Sequence, residues 1–467
     1  MLVRRTGERG FRSPRRKQPK RRRNKSILRR KIFTSARVIA LGFLAVMSVG
    51  TLLLCLPIAS RGEPCGFIDC LFTAVSAVCV TGLSVANTAT QWSFFGQFVI
   101  LLLIQIGGLG VVTVAMSLIK ATGRKIGLSQ RSIMQETLAA PEIRGIVKFT
   151  HFVFIGTFAV EALGALIMSP VFIKDYGFWQ GLWMSVFHSV SAFCNAGFDI
   201  LGVEAPFVSL TGYADNAVIN VAVMLLIIIG GLGFITWEDV KLHGVHIKRY
   251  RVQSKIILCT TAFLILLPAA YYFFFEFGDK PFGKRLLVSL FQAVSPRTAG
   301  FNTVSASETS EAAHVLEIIL MLIGGSPGST AGGLKTTTFA ILVIASVSVF
   351  RKRGDVCVFR RRISDKTVKR ACAVALMYVA LFLAGGTIIY LAEGKAFSML
   401  ECLYEAASAI GTVGLTLGIT PSLGVVSEIV LMLLMYIGRI GALTMIYATV
   451  SEASNEYRLP EEKVSVG

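Results

Sequence analysis

The stretch "VSAVCVTGLS", Val75–Ser84, lies between two long apolar runs and contains no charge, no His and no carboxylate. The chain restates it three times, as "VSAFCNAGFD" (190–199), "VSPRTAGFN" (294–302) and "ASAIGTVGLT" (407–416). Each copy holds a Ser, a few small residues and a Gly near its end; the fourth has a second Gly, Gly411. An aromatic residue precedes each Gly: Phe72 before Gly82, Phe187 before Gly197, Phe291 before Gly300 and Tyr404 before Gly414, at spacings of 10, 10, 9 and 10. A second marker follows each copy: "IGGLG" (106–110), "IGGLG" (229–233), "IGGSPG" (323–328) and "IGRIG" (437–441). Its first Gly lies 25, 33, 24 and 24 residues beyond the first. Two motifs in fixed order, four times over, mark an internal repeat.

The flanks of these motifs set the class of protein. The 467-residue chain is 54% hydrophobic with a mean hydropathy of +0.67. Its apolar runs, such as 36–58 and 94–119, reach the roughly 20 residues needed to cross a bilayer core. This composition describes a polytopic α-helical membrane protein and excludes a soluble enzyme.

The net charge of +20 is unevenly placed: 16 of the 47 Lys and Arg fall in the first 37 residues. Others cluster at 120–125, 248–251 and 351–362, in every second loop, whereas the alternate loops 199–215 and 302–314 carry mostly Asp and Glu. That is the positive-inside pattern, which puts both termini and the basic loops in the cytoplasm of a plasma-membrane protein. The basic tail is expected to lie against anionic lipid. Nucleic acid is a poor partner for it, because only Phe11 interleaves the charges for base stacking. The first apolar run is too long for a cleaved signal peptide. The nine Cys show no metal-ligand spacing; Cys65 and Cys70 fall on the outer side, where a pairing stays open.

Each repeat has one plan: a long apolar helix, a short half-apolar segment too short to span, the Gly loop, and a second long helix. The expected divisions are a basic tail (1–34), repeat 1 (35–120), repeat 2 (147–240), repeat 3 (255–350), repeat 4 (367–450) and a cytoplasmic C-terminus (451–467). The expected fold is therefore all-α, with eight spanning helices and four re-entrant pore helices around one pseudo-four-fold pore. The second helices are expected as continuous spans at 94–119, 214–240 and 423–450, with 312–350 interrupted. Non-helical backbone at membrane depth survives only where protein or a water-filled cavity satisfies it. Four such loops can surround one axis and aim carbonyl oxygens at it, replacing the water shell of a monovalent cation. Carbonyls without carboxylates suit K⁺ better than Mg²⁺ or Ca²⁺. The plainer alternative is that each Gly only ends a re-entrant turn.

The segments "SAVCVTGL", "SAFCNAGFD", "SPRTAGFNT" and "SAIGTVGLT", with "IGGSPGSTAGGLKTTT" (323–338), resemble the filter loops of the Trk/Ktr/HKT superfamily of K⁺ transporters. The resemblance covers nearly all of 36–450. With no extra helix pair before the first repeat, it is stronger to the membrane subunits of the Ktr branch. It implies K⁺ contacts at Val80, Thr81 and Gly82; Asn195, Ala196 and Gly197; Thr298, Ala299 and Gly300; and Thr412, Val413 and Gly414. It also implies a K⁺ preference with some Na⁺ or Rb⁺ tolerance. The chain departs from the family pattern at Cys194, where a second Asn is expected, leaving the side-chain support of loop two open.

The resemblance further implies an intramembrane gate loop at 324–333, comprising Gly324, Gly325, Ser326, Gly328, Ser329, Thr330, Gly332 and Gly333. Arg439 is implied to project into the pore beneath the filter; the alternatives are snorkelling or pairing with an acid such as Glu161. The gate segment could equally be a static kink. Lys335 either hydrogen-bonds the loop or faces the inner vestibule. Glu161 is either a proton relay or a carboxylate bonded to a neighbouring helix. Arg297 is expected to brace the third loop through its carbonyls, and Asp69, Glu401 and Glu405 to raise cation concentration at the outer mouth.

No nucleotide-binding fold is expected, since "IGGLG" lies inside a span without a preceding strand. No cofactor is expected on this chain. K⁺ is the transported ion, Na⁺ is left open as an activator, and ATP or ADP belongs on a partner. Ktr resemblance implies a homodimer and a cytosolic RCK-domain ring (KtrA-like). The competing class is a secondary symporter coupling K⁺ to Na⁺ or H⁺; it would want several intramembrane acids, and essentially one is present. An enzyme would need a nucleophile or metal set that five scattered His do not supply.

Overall fold

The computed structural model describes residues 35–123, 126–140, 142–202, 207–441 and 444–445. The basic tail 1–34 and the C-terminal segment 451–467 lie outside the described residues. One element order recurs four times, the fourth set being described as far as its second helix. The first set is α1 (Ser35–Leu54), pore helix α2 (Phe67–Cys79), α3 (Phe94–Leu109) and α4 (Val111–Ala121). A connector helix, α5 (Leu128–Thr137), leads to α6 (Ile146–Tyr176), pore helix α7 (Phe178–Cys194), α8 (Ala217–Gly231) and α9 (Phe234–His243). The third set is α10 (Val252–Tyr271), pore helix α11 (Phe282–Val294), α12 (Glu311–Leu322) and α13 (Thr336–Phe350). After a two-stranded hairpin, β1 (Cys357–Val358) with β2 (Arg361–Arg362), come α14 (Asp365–Ala392), pore helix α15 (Met399–Gly411) and α16 (Val425–Ile440).

The second helices correct the expected plan. The runs 94–119 and 214–240 are not straight spans: α3 meets α4 at 94° and α8 meets α9 at 96°. The breaks fall at Gly110 (φ 85°, ψ 127°) and Gly233 (φ 82°, ψ 138°), a backbone that side chains with a Cβ rarely adopt. Gly441 takes the same conformation (φ 88°, ψ 135°) and ends α16. The closing Gly of the second marker is thus a bend, hidden in sequence because the apolar composition continues through it. Among the described residues four helices, α1, α6, α14 and α10 with its terminal π-turn, are long and apolar enough to cross a bilayer alone, and the count rises to six if each bent pair is one span. Those four are mostly exposed along their length and show Leu41, Ile155, Leu163, Leu266 and Leu376 outward, as a hydrocarbon surround permits.

The core lies around the pore helices. The aromatic markers Phe72, Phe187 and Phe291 are fully buried and Tyr404 is nearly so. The second helices of the first three sets start at side-chain caps: Ser93 accepts from Gly96 N, Asn216 from Val218 N, and Ser310 from Ala313 N. In the first, second and fourth sets the marker glycine lets the second helix lie directly on the end of the pore helix. A Cβ on Gly107, Gly230 or Gly438 would overlap the carbonyl of Val78, Phe193 or Ile410, each two residues before a pore helix's left-handed end. This contact explains why the second motif accompanies the first in those three sets; in the third, Gly324 abuts the Gly332 carbonyl instead.

Candidate functional site

Three pore helices end on non-Gly residues in the left-handed region: Val80 (φ 57°), Asn195 (φ 59°) and Thr412 (φ 53°). In the third loop Thr298 (φ 75°) plays that part. A β-branched residue there is strained, as at Val80, Thr298 and Thr412, whereas Asn195 in the second loop adopts this conformation more readily. Two residues on, Gly82, Gly197, Gly300 and Gly414 also have positive φ, while the residue between does not. Such alternation of hand turns successive carbonyls towards one side of the chain instead of winding them around it.

The four loops close into a ring. A Cβ added to Gly82 would lie 3.1 Å from the Cα of Gly197, one on Gly197 3.1 Å from Gly300, one on Gly300 3.1 Å from Gly414, and one on Gly414 3.0 Å from Gly82. Each would also overlap the carbonyl oxygen of the residue before the next Gly: Ala196, Ala299, Val413 and Thr81 in turn. The four glycines and the residue before each thus form one cyclic arrangement, with four backbone carbonyls at its four joints. Asn195 and Thr298 add a side-chain bond between loops two and three: the Thr298 hydroxyl donates to Asn195 Oδ1 at 3.1 Å when the amide is turned to donate to Ala192 O and Ile227 O.

The repeated Ser, which sequence reading noticed without giving it a role, anchors each loop. The Ser76 carbonyl accepts from Thr81 N (2.8 Å) and its hydroxyl from Gly82 N (3.1 Å). Ser408 does the same for Val413 N (2.8 Å) and Gly414 N (3.0 Å). The Ser191 carbonyl accepts from Ala196 N (2.8 Å) and its hydroxyl donates to Phe198 O (2.7 Å). Ser295 accepts from both Ala299 N and Gly300 N and donates to Phe301 O. Pro296, which has no N–H, follows Ser295, and the loop is one residue shorter there.

Beyond the glycines lies a small cavity of about 60 Å³ lined by all four of them. The acids expected at this mouth are engaged elsewhere. Glu401 caps α15 by accepting from Ser398 N (2.7 Å), and Asp69 sits in the first turn of α2 beside the Cys65 thiol. Glu405 is fully buried and accepts from the hydroxyls of Thr416 and Thr420. Arg297 also departs from expectation: it is buried, its Nε has no partner, and its side chain donates to no loop carbonyl among the described residues. Cys65 and Cys70 are free thiols.

The segment 324–333 joins α12 to α13 and is held along its length. Ser326 N donates to Gly231 O (3.0 Å), Thr330 N to Gly230 O (3.2 Å), and Phe234 N to Gly328 O (2.8 Å). Thr330 Oγ1 donates to Phe193 O at 3.0 Å, and Ser329 Oγ to Ser326 O at 2.7 Å. Gly325 O accepts from Thr336 N (3.0 Å), and Gly324 abuts the Gly332 carbonyl. Gly332 lies against the Thr412 side chain and Gly333 against Gly411, so the segment touches the underside of loop four as well. Lys335 hydrogen-bonds the segment, donating to Ala331 O (2.8 Å) and Gly332 O (3.3 Å).

Arg439 occupies the place of the second marker Gly. Its guanidinium donates to Thr330 O, Gly107 O and, at 3.1 Å, Gly108 O. It does not pair with Glu161, which instead accepts from Gln105 Nε2 (3.3 Å) and contacts the Cys194 thiol (3.9 Å). Cys194 thereby supports loop two from behind, in place of the expected Asn. Arg439 and Lys335 line a separate cavity of about 200 Å³ with Pro327, Gly328 and Ser329.

Comparison with known proteins agrees with this architecture. The potassium transporter TrkH from Vibrio parahaemolyticus superposes with a TM-score of 0.72, covering 90% of this chain and 86% of that one at 18% identity, which establishes a shared fold. The chain is 38% identical over 449 residues to the potassium/sodium uptake protein NtpJ of Enterococcus hirae, covering 94% of this chain and 98% of that protein. It is 36% identical over 441 residues to the Ktr system potassium uptake protein B of Bacillus subtilis, covering 93% and 97%. The family model described as TrkH, cation transport protein, matches residues 17–457. These relatives are transporters, which disposes of the enzyme alternative. The chain is a multi-pass membrane protein and a member of the TrkH cation transport family.

Proposed function

We propose that this chain is the K⁺-translocating membrane subunit of a Ktr-type uptake system. K⁺ passes through a filter made by the backbone carbonyls of the four loops, contributed by Val80–Gly82, Asn195–Gly197, Thr298–Gly300 and Thr412–Gly414. The four repeats at 35–120, 147–240, 255–350 and 367–450 surround that filter. Its mouth faces outward, and both termini lie in the cytoplasm of the plasma membrane. Segment 324–333 is the gate, and Arg439 is the charge beneath the filter. The membrane subunit works as a homodimer under a cytosolic RCK-domain ring that carries the ATP or ADP. The names of its relatives, a Ktr system potassium uptake protein and a potassium/sodium uptake protein, support the choice of ion.

One observation carries the reading: the cyclic seating of the four glycines, each against the next loop's backbone. Neutral carbonyls on a strained, well-anchored backbone suit a dehydrated monovalent cation. The test is flux in proteoliposomes and growth of a K⁺-uptake-deficient bacterium at limiting K⁺. Flux should reverse at the K⁺ Nernst potential without dependence on a pH gradient. Obligatory coupling to H⁺ or Na⁺ would favour the symporter instead.

A further inference from the structure

The second residue after each ring glycine is Ser84, Asp199, Asn302 or Thr416, and all four line the mouth cavity together with the glycines. They form a second ring above the first, polar throughout. Asp199 is its one charged member, and among the described residues it is the only charged side chain lining that cavity. The carboxylates that sequence pattern placed at the mouth are spent on capping and buried hydrogen bonds, as described above. Glu405 is the nearest rival, since it receives the Thr416 hydroxyl, but it is fully buried behind that residue.

We infer that this ring is an outer binding site for a partly hydrated monovalent cation, and that Asp199 sets the apparent affinity for K⁺ while leaving discrimination to the carbonyls below. The inference rests on the filter reading above. About 60 Å³ holds an ion together with several of its waters. Serine, asparagine and threonine offer neutral oxygens to such an ion, but they do not raise its local concentration. A single carboxylate does so without holding the ion too tightly to release it downward. Asp199 is also held in place: its Oδ1 accepts from Leu201 N at 3.2 Å, so one oxygen is fixed. A charge about 6–7 Å from the ion, in a dielectric between roughly 40 and 80, changes occupancy by about three- to tenfold.

The test uses the full-length protein in proteoliposomes or in a K⁺-uptake-deficient strain, normalised to the amount in the membrane. Asp199→Asn keeps the acceptor for Leu201 N and removes only the charge. It should raise the apparent KM for K⁺ by about three- to tenfold, with maximal rate and K⁺/Na⁺ ratio essentially unchanged. Asn302→Asp placed in the Asp199→Asn background returns one carboxylate to the same ring through a different loop, and should restore the low KM. Added choline chloride should raise the wild-type KM and leave that of Asp199→Asn unmoved. The inference is overturned if Asp199→Asn leaves KM unchanged, or lowers only maximal rate. It is equally overturned if the double variant fails to recover affinity, because the residue's role would then be structural. Gly82→Ser, measured alongside, keeps the two readings apart. Lost selectivity there with a silent Asp199→Asn defeats this inference alone, whereas unchanged selectivity there defeats the filter reading beneath it.

Discussion

Arg439 donates to the carbonyl of Thr330 while the same guanidinium holds the carbonyls of Gly107 and Gly108. The proposed gate and the proposed pore charge are therefore one connected device. Opening the segment breaks the bonds from Ser326 N, from Thr330 N and Oγ1, to Gly328 O, and from Arg439. At about 1 kcal/mol net each, these five bonds oppose opening, and the conformational entropy gained by a freed segment counts against them.

Arg439→Ala should raise basal flux and weaken the response to the regulatory ring, because it removes both a charge and a tether. Unregulated flux should rise by at least tenfold, bounded by the roughly hundredfold occupancy effect of a charge about 6 Å from the ion at an effective dielectric near 20. Arg439→Lys separates the two contributions. It keeps the charge but cannot grip three carbonyls as a planar fork does, so flux should stay low while regulation slackens. Deleting residues from 326–332 should raise flux too, and combining it with Arg439→Ala should give less than the product of the two effects. Fully independent effects in liposome flux would show that the link is incidental.

Replacing the ring glycines should erode K⁺ over Na⁺ selectivity at all four positions, in an order set by crowding. A Cβ on Gly197 meets the Ala299 oxygen at 2.6 Å, the loosest of the four contacts. Gly197→Ala should therefore retain the most selectivity, and Gly82, Gly300 and Gly414→Ala should lose more. Relative uptake of K⁺ and Na⁺ in the four variants checks both the loss and the order.

The loop serines should matter without touching the ion. Ser76→Ala and Ser408→Ala each strand a Gly N–H, at a cost of about 1–3 kcal/mol to the native loop, enough for a several-fold fall in the K⁺/Na⁺ ratio. Ser76→Thr keeps the hydroxyl and should fall less far than Ser76→Ala. Equal losses for Thr and Ala would mean that volume, and not the hydrogen bond, is at stake.

Nucleotide control should come from outside this chain. The purified membrane protein should bind neither ATP nor NADH in equilibrium dialysis, yet its K⁺ flux should respond to nucleotide once an RCK-domain ring is added. Tight nucleotide binding by the chain alone would refute the division of labour proposed here.

Much of this architecture was readable in the chain because four imperfect copies expose what one copy hides. The aromatic-to-Gly spacing located all four loops, and the shorter third spacing has its counterpart at Pro296. What escaped notice was of two kinds. The bends at Gly110 and Gly233 lie inside unbroken apolar runs, where hydropathy is blind to backbone conformation, although the Gly at the same place in two copies was a usable signal. Asp199 is easily overlooked because the polar residues that line the cavity with it come from other repeats. A carboxylate two residues past a Gly means little until three other loops stand beside it. The same holds for Glu405, whose partners Thr416 and Thr420 settle its role only once they fold back onto it.

The seating of Gly414 against Thr81 and Gly82 also bears on how the molecule is made. The first loop leaves the ribosome early and then waits, one flank uncovered, while more than three hundred residues are synthesised. Each new repeat supplies a wall for its predecessor, yet the circle stays open until the fourth arrives. A chain cut anywhere before Gly414 therefore leaves Thr81 and Gly82 without the neighbour that closes the circle, and presents an incomplete polar groove to the bilayer. Quality control in the membrane has a clear mark to recognise there, and a truncated product should be cleared by proteolysis before it can leak ions.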